Sequence, residues 1–180
     1  MMCWNSAPER YGWVWCKAKR FVSIRALQVL ILAAMPSLLL SARLYNPDSL
    51  RDLESRLYGT VNQLRHSEGI FPLTWNEQVA AEARRHASSM ARNGFLSHRD
   101  PVRGDLADRL DSSGIAWRHC AENLYEEKGI DNPAERAVHE WMRSANHRKN
   151  LLNPDLVESG VGAAVRGDGT LVIVQDFVKR

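Results

Sequence analysis

Three polar side chains from separate segments carry groups that could act together in chemistry. His98 and His147 each lie in a short polar segment that contains serine or asparagine and arginine, and Glu122 begins an apolar stretch. Two neutral imidazoles suit a divalent metal such as zinc, and a carboxylate or an imidazole can activate water as a general base. Spacing alone does not bring the three side chains together, so surface histidines and a capping glutamate stay open as the alternative.

Other stretches that look like motifs do not hold up. His139-Glu140 resembles the start of a zinc-protease helix, but Arg143 stands where that motif requires its second histidine. Gly160-Val161-Gly162 lacks the third glycine and the following helix of a phosphate-binding loop. Arg166-Gly167-Asp168 spells an adhesion tripeptide, but turn preferences explain it fully. None of them adds a candidate site.

The elements that must position His98, Glu122 and His147 follow from apolar spacing and capping residues. Helices come first and antiparallel strands come later, which predicts an α+β fold with helices packed on a sheet. The predicted helices run from Asp48 to about Ser67, from Asn76 to Asn93, over Asp105–Ser112, from Pro133 onward and over His147–Leu152. The predicted strands are Trp117–Tyr125 and a hairpin of Gly160–Arg166 with Thr170–Val178.

Charge and composition exclude several classes of protein. Of 180 residues, 44% are hydrophobic and 25% are charged, which fits neither a disordered tail nor a polytopic membrane protein. Residues 1–42 hold five basic side chains against one acidic, whereas residues 43–180 hold 19 basic against 20 acidic. Nucleic-acid binding needs a basic field on the domain itself, so we expect no nucleic-acid partner.

The first 42 residues look like an export leader. Arg20 and Arg25 precede an apolar run over residues 26–40, which is shorter than the about 20 residues of a spanning helix. We therefore predict a signal peptide or an uncleaved signal anchor over residues 1–42, with an exported domain over residues 43–180. Cys120 is the only cysteine of that domain, so no internal disulfide is possible, and we expect it to be a small buried residue.

Six short motifs in order closely resemble the CAP superfamily, which joins cysteine-rich secretory proteins, insect antigen 5 and plant pathogenesis-related proteins. The resemblance covers about residues 50–178 and is nearest to the bacterial SCP-like members. The motifs are Leu73-Thr74-Trp75-Asn76, Ser97-His98-Arg99-Asp100-Pro101, Ala121-Glu122-Asn123-Leu124, Trp141 to Pro154, Gly160-Val161-Gly162 and Val174-Gln175-Asp176-Phe177.

The resemblance implies an α-β-α sandwich with a central antiparallel sheet, an extracellular location and a cleft lined by two histidines and two glutamates. His98 matches the first histidine, Glu122 the first glutamate and His147 the second histidine. The second glutamate is expected three residues after Trp141, where this chain has Ser144. The tetrad is therefore incomplete.

Two classes of function remain open for this cleft. The first is an extracellular or cell-surface module that binds a lipid, peptide or glycan, either with no cofactor or with a divalent metal such as zinc. His98 and His147 would hold that metal, with Glu122 as a third ligand or orienting one imidazole. The second is an extracellular, protease-like hydrolase that uses Glu122 or a histidine of the same cleft. Membrane contact is expected only through an uncleaved leader.

Export is directly testable with a fusion. Residues 1–60 joined to a reporter that is active only outside the cytoplasm should give signal, because the apolar run follows a positive flank. The same segment fused to a cytoplasmic reporter serves as the expression control. A silent export reporter beside an active cytoplasmic one would contradict the leader prediction.

Overall fold

Five helices and four strands form residues 47–180, the part of the chain that this computed structural model describes. The helices are α1 (Pro47–Ser67), α2 (Glu77–Asn93), α3 (Leu106–Ser112), α4 (Pro133–Arg143) and α5 (Ala145–Leu151). The strands are β1 (Thr74–Trp75), β2 (His119–Lys128), β3 (Glu158–Val165) and β4 (Thr170–Lys179). No helix within this range is long and apolar enough to cross a membrane. The predicted leader and its boundary at residue 43 lie outside the described residues.

The four strands form one sheet in the order β1-β3-β4-β2. β3 and β4 form the predicted hairpin, and β2 pairs antiparallel with β4, so that Glu122 lies opposite Asp176. The two-residue β1 runs parallel to β3 and makes the sheet mixed. The α+β class is confirmed, and the three long strands are antiparallel as expected.

Side-chain alternation along β4 divides the domain into an α-β-α sandwich. Odd-numbered residues of β4 pack with α1 and α4, and even-numbered residues pack with α2 and α3, because successive strand side chains point to opposite faces. The odd-numbered apolar set is Leu171, Ile173 and Phe177, and the even-numbered set is Val172, Val174 and Val178. The layer architecture implied by the resemblance is therefore present.

The Gly160-Val161-Gly162 stretch is explained by close packing of α2 on β3. A Cβ atom at Gly160 would lie 2.1 Å from the backbone nitrogen of Ala80, and one at Gly162 would lie 2.1 Å from that of Arg84. Neither backbone atom can yield without moving the helix. These glycines therefore let helix and strand approach, and the helix stays in register above the sheet.

Local signals set most helix ends. Asn76 caps α2 by accepting hydrogen bonds from the backbone of Gln78 and Val79, and Gly94 ends it in the left-handed conformation at φ 69°. Asp105 forms a capping box with Asp108 at the start of α3. α1 begins at Pro47, so Asp48 lies in its first turn and is not its cap.

Arg65 is a buried cation that anchors the end of α5. Its guanidinium donates to the carbonyl oxygens of Leu151, Asn153 and Leu156, at 2.8 to 3.1 Å, and to that of Phe71 at 2.9 Å. Burial lowers the pKa of Arg65, yet a guanidinium stays charged at any ordinary pH. A cation suits the carbonyl end of a helix, so Arg65 fixes the helix that carries His147.

Trp75 and Trp141 both sit on apolar faces beside helix ends, which predicts that both are largely buried, but they differ in the structure. Trp141 is 1% exposed, and its indole nitrogen donates to the carbonyl of Leu124 at 2.8 Å. Trp75 is only half-buried, because its indole nitrogen reaches the exposed carboxylate of Glu77 at 3.0 Å. The prediction of a largely buried side chain thus holds fully for Trp141 and in part for Trp75.

Replacing Trp141 by Ala should lower the free energy of unfolding by about 3–5 kcal/mol, since it leaves a large cavity in the core. Trp117→Ala is the matched control, because Trp117 is half-buried and its indole nitrogen binds an exposed carboxylate, that of Asp111. Urea denaturation of both variants measures the difference. Equal losses at the two positions would mean that the α4 register is misassigned.

Candidate functional site

His98 and Glu122 form the centre of the candidate site. The loop after α2 brings Nδ1 of His98 within 2.8 Å of Oε1 of Glu122, which lies on β2. The Glu122 side chain is buried, whereas that of His98 is 61% exposed. An ionised carboxylate only accepts hydrogen bonds, so Nδ1 of His98 donates, and Nε2 is left as the nitrogen with a free lone pair.

Arg109 on α3 holds this pair from inside the protein. Its guanidinium forms an ion pair with Oε2 of Glu122 and donates to the carbonyl of His98 at 2.9 Å. It also approaches the buried carboxylate of Glu82 at 3.4 Å. One fully buried arginine thus fixes both the strand and the loop of the site. Sequence reasoning missed Arg109 and Glu82, because no local pattern marks a buried ion pair.

His147 reaches the same edge of the sheet from the opposite helical layer. Asn123 follows Glu122 on β2 and points to the other face, where its amide donates to the carbonyl of His147 at 3.2 Å. The amide of Asn150 in turn donates to Asn123 at 2.9 Å. These contacts tie α5 to β2, the edge strand of the described sheet.

The two histidines are close enough for the charge of one to affect the pKa of the other. Burial lowers the pKa of His147 from its ordinary value, and the charge of His98 lowers it further. His147 therefore stays neutral to lower pH than a free histidine does, and a neutral imidazole can coordinate a metal. Among residues 47–180, however, no group of three metal-ligating side chains is arranged to hold an ion.

The position of the missing glutamate offers no substitute acid. Ser144 lies between α4 and α5 and ends the first of them. Glu140 faces elsewhere, since its carboxylate pairs with Arg136 and Arg143, each at 3.5 Å. The second cleft acid of the family pattern is therefore not supplied from this segment.

A second acid, Asp176 on β4, lies opposite Glu122 of β2. Asp176 is fully buried, and no N–H or hydroxyl group of the described residues donates to either of its carboxyl oxygens. Burial, followed by the negative charge of Glu122, raises the pKa of Asp176 well above its ordinary value. The protonated form of Asp176 is therefore favoured over the carboxylate. The motif Val174–Phe177 contains this residue, but its burial beside a second acid was not anticipated.

The sequence predicts His86 on the polar side of α2, but the structure shows its side chain wholly buried. Its Nε2 donates to the carbonyl of Ser97 at 2.9 Å, which fixes the start of the loop that carries His98. Burial lowers its pKa, although the nearby Glu122 opposes that shift. The loop over residues 97–104 covers this part of α2, so the burial of His86 is a tertiary effect.

Cys120 at the start of β2 is half-buried. Burial, followed by several nearby acidic groups, raises the pKa of its thiol to about 11. The thiol is therefore protonated at neutral pH, as expected of a packing residue and not of a nucleophile.

Comparison with known proteins matches residues 58–177 to the model of the cysteine-rich secretory protein family, CAP. YkwD of Bacillus subtilis is 33% identical over 132 residues, which are 73% of this chain and 49% of that protein. YlbC of the same organism, described as a membrane protein, is 32% identical over 127 residues, or 71% of this chain and 34% of that protein. The chain thus spans half or less of these relatives.

Two solved structures share the fold. An extracellular protein containing an SCP domain from Bacillus anthracis has a TM-score of 0.67 and 26% identity, over 76% of this chain and 44% of that one. An outer surface protein of Borrelia burgdorferi has a TM-score of 0.65 and 22% identity, over 72% of this chain and 93% of that one. The arrangement of helices around the sheet is therefore shared.

Replacing Asp176 by Asn should raise the melting temperature at about pH 8 by about 3 °C or more, since 1 kcal/mol is worth about 2–4 °C in domains of 150–250 residues. The asparagine side chain keeps the shape of the aspartic acid and a hydrogen-bond donor, but it does not ionise. The raised pKa means that the parent is stabilised most below the unfolded-state pKa and loses this as pH rises, so the gain should shrink towards about pH 4.

Asp168→Asn is the control for this change. Asp168 is exposed, and hydrogen bonds from Thr170 lower its pKa, so its contribution has the opposite sign and the variant should gain nothing at alkaline pH. Thermal unfolding followed by circular dichroism at three pH values compares the two. A gain for Asp176→Asn that does not depend on pH would contradict the protonated carboxyl.

Proposed function

The chain belongs to the cysteine-rich secretory protein family, CAP, and from this premise we propose that it is an exported module that binds a ligand at the β2 edge between His98 and His147. The observation that carries the proposal is the hydrogen bond from exposed His98 to buried Glu122, at 2.8 Å. It holds an accessible imidazole in one orientation, as a recognition site requires.

We propose a weak metal site made of two histidines. His98 offers Nε2, because its Nδ1 is engaged with Glu122, and His147 offers a neutral ring. Both oxygens of Glu122 already accept, from His98 and from Arg109, so we assign Glu122 the role of orienting His98. A bound zinc ion would supply a coordination point for an oxygen atom of the ligand. Two protein ligands hold zinc more weakly than the three or four usual in proteins.

Export is supported by the leader pattern and by the nature of a relative. The SCP-domain protein of Bacillus anthracis is described as extracellular, and YlbC is described as a membrane protein. Residues 1–42 have the positive flank and the apolar run that either outcome requires. We therefore propose that the domain acts outside the cytoplasm, either released or held at the surface.

Binding is favoured over hydrolysis by the surroundings of Glu122. A general base must take a proton from water, but the carboxylate of Glu122 is buried and is paired with Arg109 and His98. Asp176 is farther inside, and its raised pKa favours the protonated form, which cannot act as a base. Neither acid of this site therefore offers a free basic oxygen, and the hydrolase alternative is left with a histidine as its only base.

Calorimetry with zinc tests the proposed site. The domain of residues 43–180, without the leader thiols Cys3 and Cys16, should bind zinc at about pH 7.5 and more weakly at about pH 5.5, because protonated imidazole cannot coordinate. His98→Ala combined with His147→Ala should abolish binding. His139→Ala, at an exposed position on α4, should leave it unchanged.

A second variant separates orienting from ligating. Glu122→Gln should weaken zinc binding by about 10- to 100-fold if Glu122 orients His98. Its melting curve must show a folded protein, since Arg109 loses a charged partner. Zinc affinity that survives the loss of both histidines would refute the metal site, while loss in the His139→Ala control would place it elsewhere.

A further inference from the structure

A groove of about 500 Å³ lies between α2 and the loop of residues 97–104, and arginines dominate its lining. Its size falls within the range of about 300–1,000 Å³ that is typical of small-molecule sites. The polar side chains that line it on α2 are Arg84, Arg85, Ser88, Ser89, Arg92 and Asn93. The loop contributes Asp100, Val102 and Arg103.

The spacing on α2 places these groups on one face. Arg84, Ser88 and Arg92 are four residues apart, and Arg85 and Ser89 form the adjacent row, so these side chains lie on one face of the helix, on which Arg85 and Arg92 are exposed. Arg103 approaches this surface from the loop. A ligand in the groove would therefore have guanidinium groups on both sides.

The positive charge of the groove exceeds the acidic charge that is accessible there. Arg85 and Arg103 both pair with Glu82, which Arg109 also approaches, so three guanidinium groups converge on one carboxylate. Glu82 is 0% exposed, whereas the side chain of Arg85 is 51% exposed. The acid thus lies beneath the surface and the cations remain at it.

Arg92 supplies charge without a partner. It is exposed, and it makes no ion pair or side-chain hydrogen bond with any residue in the range 47–180. Arg84 differs, because its guanidinium is paired with Glu54 and Glu77 at 2.8 and 2.5 Å. The one acid that lines the groove, Asp100, is buried and accepts backbone N–H groups of its own loop. Arg85, Arg92 and Arg103 therefore provide the surplus.

We propose that this groove is a second binding site, which takes the phosphate group of a small phosphorylated ligand or of a lipid headgroup. Guanidinium groups present paired N–H donors that match the oxygens of phosphate, and the hydroxyl of Ser88 adds a further donor beside them. Val102, which is 91% exposed at the rim, offers an apolar contact to the carrier of the phosphate. The site shares no residue with His98, Glu122 and His147.

Because the domain as a whole is nearly neutral, anion binding would depend on the groove alone. Residues 43–180 carry 19 basic and 20 acidic side chains, so net charge would not attract anions. Binding must then depend on the particular arginines of the groove. It must also weaken with salt, since exposed charges are screened over about 8–10 Å at ionic strengths of 0.1–0.15 M.

The test uses the full chain in a neutral detergent, with isothermal titration of three probes at low salt. The probes are tripolyphosphate, glycerol 3-phosphate, and detergent micelles with and without phosphatidylglycerol. Binding to the soluble probes assigns a small phosphorylated ligand, and binding only to the doped micelles assigns a headgroup. Arg92→Gln should weaken whichever binding is found by about fivefold, the upper range for one exposed charge pair.

The controls keep the result tied to the groove. Arg92 pairs with no described residue, so its variant should melt like the parent, unlike changes at Arg85 or Arg103 that would strand Glu82. Arg56→Gln removes an equally exposed arginine from α1, in the other helical layer, and should leave binding unchanged. The proposal is overturned if no probe binds at millimolar concentration, or if Arg56→Gln and Arg92→Gln weaken binding equally.

Discussion

The buried ion pair between Arg109 and Glu122 is the interaction on which the candidate site depends. Glu122 can lie inside the protein as a carboxylate only because a guanidinium compensates its charge there. The same guanidinium donates to the carbonyl of His98, so the loop and the strand are fixed by one side chain from α3. The ring of His98 is consequently exposed, but its orientation is fixed by the buried side chains of Glu122 and Arg109.

The position of β2 at the edge of the sheet explains how both helical layers contribute. Successive strand residues point to opposite faces, so Glu122 meets the α2–α3 side while Asn123 meets α5. In the middle of a sheet these two environments would be separated by neighbouring strands. At the edge they meet around the strand, and His147 comes within electrostatic reach of His98.

The sequence predicted the framework better than it predicted the buried polar groups. Asn76, Gly94 and Asp105 act through local geometry, and the alternation along β4 marks two buried faces, so these elements could be found without a structure. His98, Glu122 and His147 were selected by residue type and local context, and the family resemblance assigned them to one cleft. The burial of His86, by contrast, depends on a loop that packs over α2, and its polar neighbours along the chain, Arg84 and Arg85, give no sign of it.

Asp176 and Arg109 together set the charge around Glu122 in a site that lacks the second glutamate. If both buried acids were ionised, one guanidinium would face two negative charges at the β2–β4 contact. Because burial and the charge of Glu122 raise the pKa of Asp176, its neutral form is favoured, and Glu122 and Arg109 pair without a second negative charge beside them. His98 then binds to a carboxylate whose charge is already compensated. The hydrogen bond, more than net charge, therefore orients the ring, and the charge that Ser144 does not provide is not needed to hold it.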